Sequence, residues 1–237
     1  MIPLYHLYQS TKSTPPLLLL IMSAFTVALI TPLTGCELAG GMMESYERTK
    51  IVDVNAEYLG LNHHKVAVMV DAPMDIQYEH ARVVPALTEY ITLRLAAHCP
   101  GSQFLPTRAI LGYQNQNVYW PTKDYHDLAK ELGVERIVFI DMSEYRLFSP
   151  GNSYYWDGEA VADVNIFEAE TPDSTTFAFT KHIISRFPPV EAVSRSAATQ
   201  EQIDDGLKLD FSQRVAWLFY DHKRKNSDLQ DEAKKKP

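Results

Sequence analysis

The sequence is poor in cysteine and in basic residues, and each shortage argues against one class of protein. It contains two cysteines, Cys36 and Cys99, among 237 residues, which is too few for the disulfide framework of a small secreted scaffold. Its 22 lysine and arginine residues are outnumbered by 30 aspartate and glutamate residues, for a formal net charge of −8. Because an acidic surface repels phosphate backbones, we expect no nucleic-acid partner.

Sequence motifs of catalytic, metal and cofactor sites are also missing. The chain has no GxSxG, Walker or GxGxxG motif, and no two histidines are spaced as HExxH. The pair His63-His64 is better explained as a surface pair than as a metal site. Asp71 and Asp75 follow a predicted strand and could serve acid–base chemistry, but turn formation around Pro73 explains them more simply. We therefore predict no catalytic residues, no metal and no cofactor.

The chain has one long uncharged run near its start, residues 17–30, with the length of a signal-peptide core and short for a membrane span. Soon after this run comes a tetrad that resembles a bacterial lipobox: an aliphatic residue, two small residues and a cysteine. In a lipobox the thiol receives a diacylglyceryl group, and a peptidase cuts just before the cysteine. The alternative is an uncleaved anchor with an incidental cysteine. The tetrad consists of Leu33, Thr34, Gly35 and Cys36.

The predicted organisation has four parts. Residues 1–35 form a lipoprotein signal peptide, 36–64 contain the lipidated cysteine and a tether, 65–222 form one α/β domain, and 223–237 form a disordered charged tail. Several acyl chains on Cys36 would hold the protein durably on a membrane. The expected location is the cell envelope, with the domain facing the periplasm or the exterior.

The domain is predicted as α/β (α+β), a single three-layer-like domain with a mixed sheet and the order β-α-β-α-β-β-β-α. Residues 66–70 and 136–140 are short apolar runs that suit strands buried on both faces, whereas 159–166 alternate between apolar and polar. Residues 104–111 are predicted as the second strand, 112–121 as a polar loop, and 122–132 as a helix capped by its threonine and stopped by Gly133.

The last predicted element is a long helix that begins at a capping box, Thr199 to Gln202. Apolar residues recur along one side of it at helical spacing, which predicts packing on the sheet. Gly206 should weaken the helix slightly. The apolar stripe consists of Ile203, Leu207, Phe211, Val215, Leu218 and Phe219.

The helix that ends at Leu132-Gly133, the strand 136–140, the antiparallel strand and the closing helix together resemble the α/β domain of curli-secretion-type envelope lipoproteins. They are also similar to the amino-terminal domain of the Tol-Pal translocation protein and to lipoprotein activators of penicillin-binding proteins. Residues 129–133 fit the step "alanine, two residues, leucine-glycine" of those families. The chain has no long insertion that would form pore hairpins. The resemblance therefore implies non-catalytic work in envelope assembly by docking to a partner.

Two groups of aromatic residues stand in predicted loops. Aromatic side chains offer a large contact area at little conformational cost, so they suit a partner-binding surface. Packing beneath the end of the sheet is the alternative explanation. The candidate partner-binding residues are Tyr119, Trp120, Phe148, Tyr154, Tyr155 and Trp156.

Two functions follow from these observations. The first is a membrane-anchored lipoprotein, non-catalytic, that docks an envelope protein. The second is an envelope hydrolase with dispersed catalytic residues, because the members of a triad need not be close in sequence. A concave site with convergent polar groups would favour the hydrolase, and an exposed aromatic patch would favour docking.

We predict that the mature protein begins at a lipidated Cys36, because the apolar run is followed by Leu-Thr-Gly-Cys. Mass spectrometry of the purified protein should find this amino terminus with its acyl modification. A different amino terminus, or a Cys36→Ser variant that stays fully membrane-bound, would contradict the prediction.

Overall fold

The computed structural model describes residues 49–152, 154–173, 176–189 and 193–234. The chain divides into two compact units, a larger one of residues 53–222 and a smaller one of residues 1–52 and 223–237. The predicted signal peptide and the tetrad Leu33 to Cys36 lie outside the described residues. Within the described part, no helix combines the length and the apolar character that a membrane span requires.

The larger unit is built on a five-stranded mixed sheet in the order β3-β2-β4-β6-β7. Strands β3, β2 and β4 are parallel, whereas β6 and β7 continue the sheet in antiparallel fashion. The strands are β2 (Lys65–Asp71), β3 (Gln103–Phe104), β4 (Arg136–Arg146), β6 (Gly158–Glu168) and β7 (Phe179–Phe187). A separate short pair joins β5 (Tyr155–Trp156) to β8 (Val193–Ser194).

Five helices accompany the sheet in the described part of this unit. They are α1 (Met74–Glu79), α2 (Val83–His98), α3 (Thr107–Gln116), α4 (Tyr125–Leu132) and α5 (Gln200–Ala216), with a 3₁₀ turn at Trp120–Thr122 before α4. The predicted mixed α/β class is confirmed.

Strand β1 (Ile51–Val54) pairs with β9 (His222–Lys225), and the boundary between the two units falls within both strands. The smaller unit also contains helix α6 (Asn226–Lys234). The Asn226 N–H donates a hydrogen bond to the Lys50 carbonyl at 2.9 Å. Residues 223–237 were predicted as a disordered tail, and the structure instead gives their described part regular secondary structure. The pairing of β9 with β1 accounts for the regular structure at the start of this segment, which the charged composition alone did not indicate.

The alternation of side chains along the strands creates a core on each face of the sheet. Val66, Val68 and Val70 of β2 point to the face covered by α2 and α5. Ala67 and Met69 point to the opposite face, which is covered by α3 and α4. The sheet is therefore the middle of three layers, as predicted.

The predicted second strand over residues 104–111 is wrong beyond its start. The strand stops at Phe104, and helix α3 occupies residues predicted as strand and polar loop. The apolar run of α3 resembles a strand, but Ile110 and Tyr113 lie at helical spacing and pack on the sheet. The side-chain amide of Gln114 also donates to the Val70 carbonyl at 3.1 Å. Tertiary contacts thus decide the conformation of a segment whose local pattern is ambiguous.

Three helix boundaries can be compared with the predicted caps. Asp124, rather than Thr122, caps α4, and its carboxylate accepts a hydrogen bond from the His126 N–H at 2.8 Å. Gly133 ends this helix in the left-handed conformation, as predicted. At the start of α5 the capping box of Thr199 and Gln202 is confirmed.

Gly206, which was predicted only to weaken the last helix, has a packing role. A β-carbon at this position would lie 2.2 Å from Cε1 of Phe187. The glycine therefore lets the ring of Phe187 approach the backbone of α5, which offsets the low helix propensity of glycine.

The compact unit also includes residues 53–64, which were assigned to the tether. Leu61 is fully buried, and the Tyr58 hydroxyl donates to Glu168 at 2.5 Å. The Arg136 Nε–H donates to the Gly60 carbonyl at 3.1 Å. This segment covers the end of the sheet at which β2 and β4 begin. Its backbone and side-chain contacts therefore make it part of the domain, which its composition did not indicate.

Truncation of the core face of α5 should cost much stability. Phe211 is fully buried, so Phe211→Ala should lower the free energy of unfolding by about 3–5 kcal/mol. Chemical denaturation would measure the loss. Leu209→Ala, on the exposed side of the same helix, is the control and should change stability by about 0.5 kcal/mol or less. Equal effects of the two variants would contradict this packing.

Candidate functional site

The structure divides the six predicted partner-binding aromatics into exposed and buried side chains. Tyr119 and Tyr154 are about four-fifths exposed, at 81% and 77%, and Phe148 and Tyr155 are exposed by 43% and 46%. Trp120 and Trp156 are only 6% and 7% exposed. The candidate surface therefore keeps Tyr119, Phe148, Tyr154 and Tyr155.

The assignment of the two tryptophans to a docking surface is corrected, because both pack inside the domain. Trp120 lies edge-on to Phe139, with ring centroids 5.7 Å apart, on the α3–α4 face of the sheet. Trp156 lies in the core on the α2–α5 face, and its indole N–H donates to the Ala198 carbonyl at 3.0 Å. Burial suits an indole when its single donor finds an acceptor in this way.

The two aromatic groups also do not form one surface. Their tryptophans lie on opposite faces of the sheet, and Tyr119 precedes the 3₁₀ turn before α4. We therefore treat the segment between β4 and β6 as the candidate site and call residues 147–157 the aromatic loop. Its described residues are 147–152 and 154–157.

Backbone pairing gives the aromatic loop a defined conformation. Strand β5 pairs with β8 in antiparallel fashion, and the Arg195 N–H donates to the Tyr154 carbonyl at 3.0 Å. The Asn152 carboxamide oxygen accepts hydrogen bonds from the backbone N–H groups of Tyr154 and Tyr155, each at 3.1 Å. These bonds hold the exposed tyrosines on a fixed backbone.

A group of charged and polar side chains braces the base of the loop. Arg146, at the end of β4, donates to the Ser149 hydroxyl at 2.9 Å and to the Asp157 carbonyl at 3.0 Å. It also forms ion pairs with Glu144 and with the buried Glu159. Because Arg146 bonds to both ends of the loop, it fixes how the loop leaves the sheet.

Arg195 is a further member of the site that sequence analysis did not identify. Its guanidinium lies over the ring of Phe148, 4.2 Å from the centroid, and 5.2 Å from the centroid of Trp156. Its Nη2 donates to the Asn152 carbonyl at 3.0 Å. The pairing of β5 with β8 brings this residue to the loop, and no local sequence pattern indicates it.

A cleft lies between the α1–α2 connection and the start of α5. It has a volume of about 390 Å³, and its lining includes Glu79, His80, Glu201 and Asp204. Asp204 already accepts hydrogen bonds from the Tyr145 hydroxyl at 2.6 Å and from Lys208 at 2.8 Å. Burial, and the bond to Asp204, raise the pKa of Tyr145, so this phenol remains a hydrogen-bond donor. The geometry supports a structural network here.

Asp71 and Asp75, the two carboxylates considered for acid–base chemistry, lie in different elements, at the end of β2 and in α1. Asp71 is paired with Asp141 across β2 and β4, and Asp141 with Asp163 across β4 and β6, whereas Asp75 lies exposed in α1. Burial raises the pKa of Asp71, with a smaller contribution from Asp141. Burial, and then Asp163, raise the pKa of Asp141. Within the described residues, no group of three or more acidic, histidine or cysteine side chains could hold a metal ion.

No protein-family model matches the chain, and no curated protein matches it by sequence. Solved structures with a similar arrangement include lipoprotein GNA1162 from Neisseria meningitidis, which is 11% identical with a TM-score of 0.41; the match covers 64% of this chain and 97% of that chain. The PelC dodecamer from Paraburkholderia phytofirmans is 7% identical, with coverages of 72% and 98% and a TM-score of 0.40. The hypothetical protein CT253 from Chlamydia trachomatis is 15% identical, with coverages of 64% and 95% and a TM-score of 0.36. These similarities are too low to transfer a function to this chain.

Trp156 is buried and Tyr154 is exposed, so their substitution should affect the free energy of unfolding differently. Trp156→Ala should lower the free energy of unfolding by about 3–5 kcal/mol, because it leaves a cavity in the core. Tyr154→Ser should change it by about 0.5 kcal/mol or less, because that side chain is 77% exposed. Denaturant titration of both variants would measure the difference. A stable Trp156→Ala variant would contradict the packing of the indole.

Proposed function

We propose that the protein is a lipid-anchored, non-catalytic lipoprotein of the bacterial envelope, and that the aromatic loop docks a partner protein there. The observation that carries the docking proposal is the exposure of Phe148, Tyr154 and Tyr155 on a hydrogen-bonded loop. The lipid anchor rests on the sequence of residues 33–36, which lie outside the described part.

The backbone hydrogen bonds of the described part of the loop support a role in recognition. Binding must offset the loss of freedom of the groups that it orders, so a surface that is already ordered binds more tightly than a flexible one. Trp156 anchors the loop from below, and Arg146 holds both of its ends. The tyrosines above them can therefore contact a partner without a large loss of backbone entropy.

The aromatic loop and the segment 57–64 lie at opposite ends of β4. The segment 57–64 bonds to the start of the strand through Gly60 and Arg136, and the aromatic loop follows its end. Strand β4 has 11 residues, which corresponds to roughly 33 Å. The loop is therefore well separated from the point at which the segment 57–64 enters the domain.

Removal of the exposed tyrosines should abolish docking without unfolding the domain. The double variant Tyr154→Ser, Tyr155→Ser should weaken partner binding roughly thirtyfold or more, since a hot-spot aromatic commonly contributes about 2 kcal/mol or more. A crosslinking pull-down from native envelope, followed by mass spectrometry, would identify the partner, and its quantitative recovery would give the loss.

The matched control is Leu93→Ser, which removes an apolar side chain that is 61% exposed on α2. This variant should recover the same partner in wild-type yield. Thermal melting of all variants separates loss of docking from loss of fold. Equal recovery by the folded double variant and the wild type would show that the tyrosines do not dock.

A further inference from the structure

Arg195 has no carboxylate partner within the described residues, whereas three other packed arginines are paired with carboxylates. Arg136 pairs with Glu170, Arg146 with Glu159, and Arg214 with Asp210. The guanidinium of Arg195 lies over two aromatic rings and donates to one carbonyl oxygen. Its positive charge is therefore held in place by stacking and is not neutralised by any carboxylate in the described part of the chain.

The contacts of Arg195 leave hydrogen-bonding capacity unused. Its Nε–H is buried without a hydrogen-bond partner, and only Nη2 donates to a described acceptor, the Asn152 carbonyl. Because Nε is buried, the donors that remain for a partner are those of the two terminal nitrogens, which the stacking on Phe148 holds in place. Such a group suits the two oxygens of a carboxylate, which can accept parallel hydrogen bonds.

The surroundings favour a protein carboxylate over an anionic membrane surface. Attraction to anionic lipids takes clusters of about four to eight basic residues, whereas the aromatic loop contains no lysine or arginine and the chain has a formal net charge of −8. The guanidinium lies over the ring of Phe148, which is 43% exposed. A charged centre beside large aromatics is typical of protein interfaces.

We propose that the aromatic loop recognises an acidic side chain, Asp or Glu, of its protein partner. This inference rests on the proposed docking function and specifies its chemistry. The partner's carboxylate pairs with the guanidinium of Arg195, and its apolar neighbours pack on Phe148. The complementarity of charge selects the partner, and the aromatic area adds affinity.

The test is photocrosslinking in cells with the full-length, lipidated chain. A benzophenone amino acid replaces Ala197, which is exposed and close to Arg195 in sequence, and mass spectrometry identifies the crosslinked partner peptide. We expect an Asp or Glu in that peptide. Arg195→Gln should reduce the crosslink roughly thirtyfold or more, while Arg108→Gln, which removes one exposed positive charge from α3, should leave it unchanged.

A charge exchange then separates recognition from any effect on the loop itself. Arg195→Glu should lose the crosslink, and Asp or Glu→Arg at the identified partner position should restore it in that variant. The variant Glu191→Gln removes the carboxylate nearest to Arg195 in the sequence and should not alter the yield. If Glu191→Gln reduces the yield as much as Arg195→Gln, or if the charge exchange fails to restore it, the proposal is overturned.

The outcomes also distinguish this inference from the docking function. A wild-type crosslink that survives Arg195→Gln in full yield would leave docking intact and refute carboxylate recognition. A crosslink to lipid, or to a second copy of this chain, would assign the surface to that occupant instead and overturn the proposal. Absence of any wild-type crosslink to an envelope protein at this position would refute the docking function itself.

Discussion

Strand β4 pairs with β2 on one side and with β6 on the other, and its side chains enter both hydrophobic cores. Val138 and Ile140 pack under α2 and α5, while Ile137 and Phe139 pack under α3 and α4. The segment 57–64 packs at the start of this strand, and the aromatic loop follows the end of the strand. Burial of β4 on both faces is therefore the constraint that connects the core of the domain with its candidate surface.

Arg136 shows how the start of this strand accommodates a buried charge. Its side chain is 5% exposed and forms two hydrogen bonds with Glu170, each of 2.5 Å, as well as bonds to the carbonyls of Gly60 and Glu135. Removal of a guanidinium from water is costly, and this set of acceptors offsets the cost. The bond to the Gly60 carbonyl also attaches the segment before β2 to the sheet.

The end of β4 uses an arginine differently. Arg146 is neutralised by carboxylates and braces the loop from its base, whereas Arg195 is stacked on Phe148 and Trp156. A buried indole and a neutralised arginine stabilise the loop, and the exposed tyrosines and the second arginine remain available. Structural support and candidate recognition thus lie within one short segment but use different side chains.

Local sequence patterns determined the elements whose physical causes are themselves local. Apolar runs predicted β2 and β4, Thr199 and Gln202 predicted the start of α5, and Gly133 predicted the end of α4; the structure has all of them. The apolar stripe predicted for α5 is likewise buried, although Leu218 and Phe219 follow the end of the helix at Ala216. Side-chain periodicity and capping act over a few residues, so one sequence suffices to recognise them.

Tertiary structure alone decided which aromatic side chains are exposed and that the guanidinium of Arg195 lies over Phe148. Tyr154, Tyr155 and Trp156 are consecutive, yet only Trp156 is buried beneath the pairing of β5 with β8. The same pairing brings Arg195 to Phe148. Burial depends on surfaces contributed by residues distant in the chain, and no local pattern carries that information.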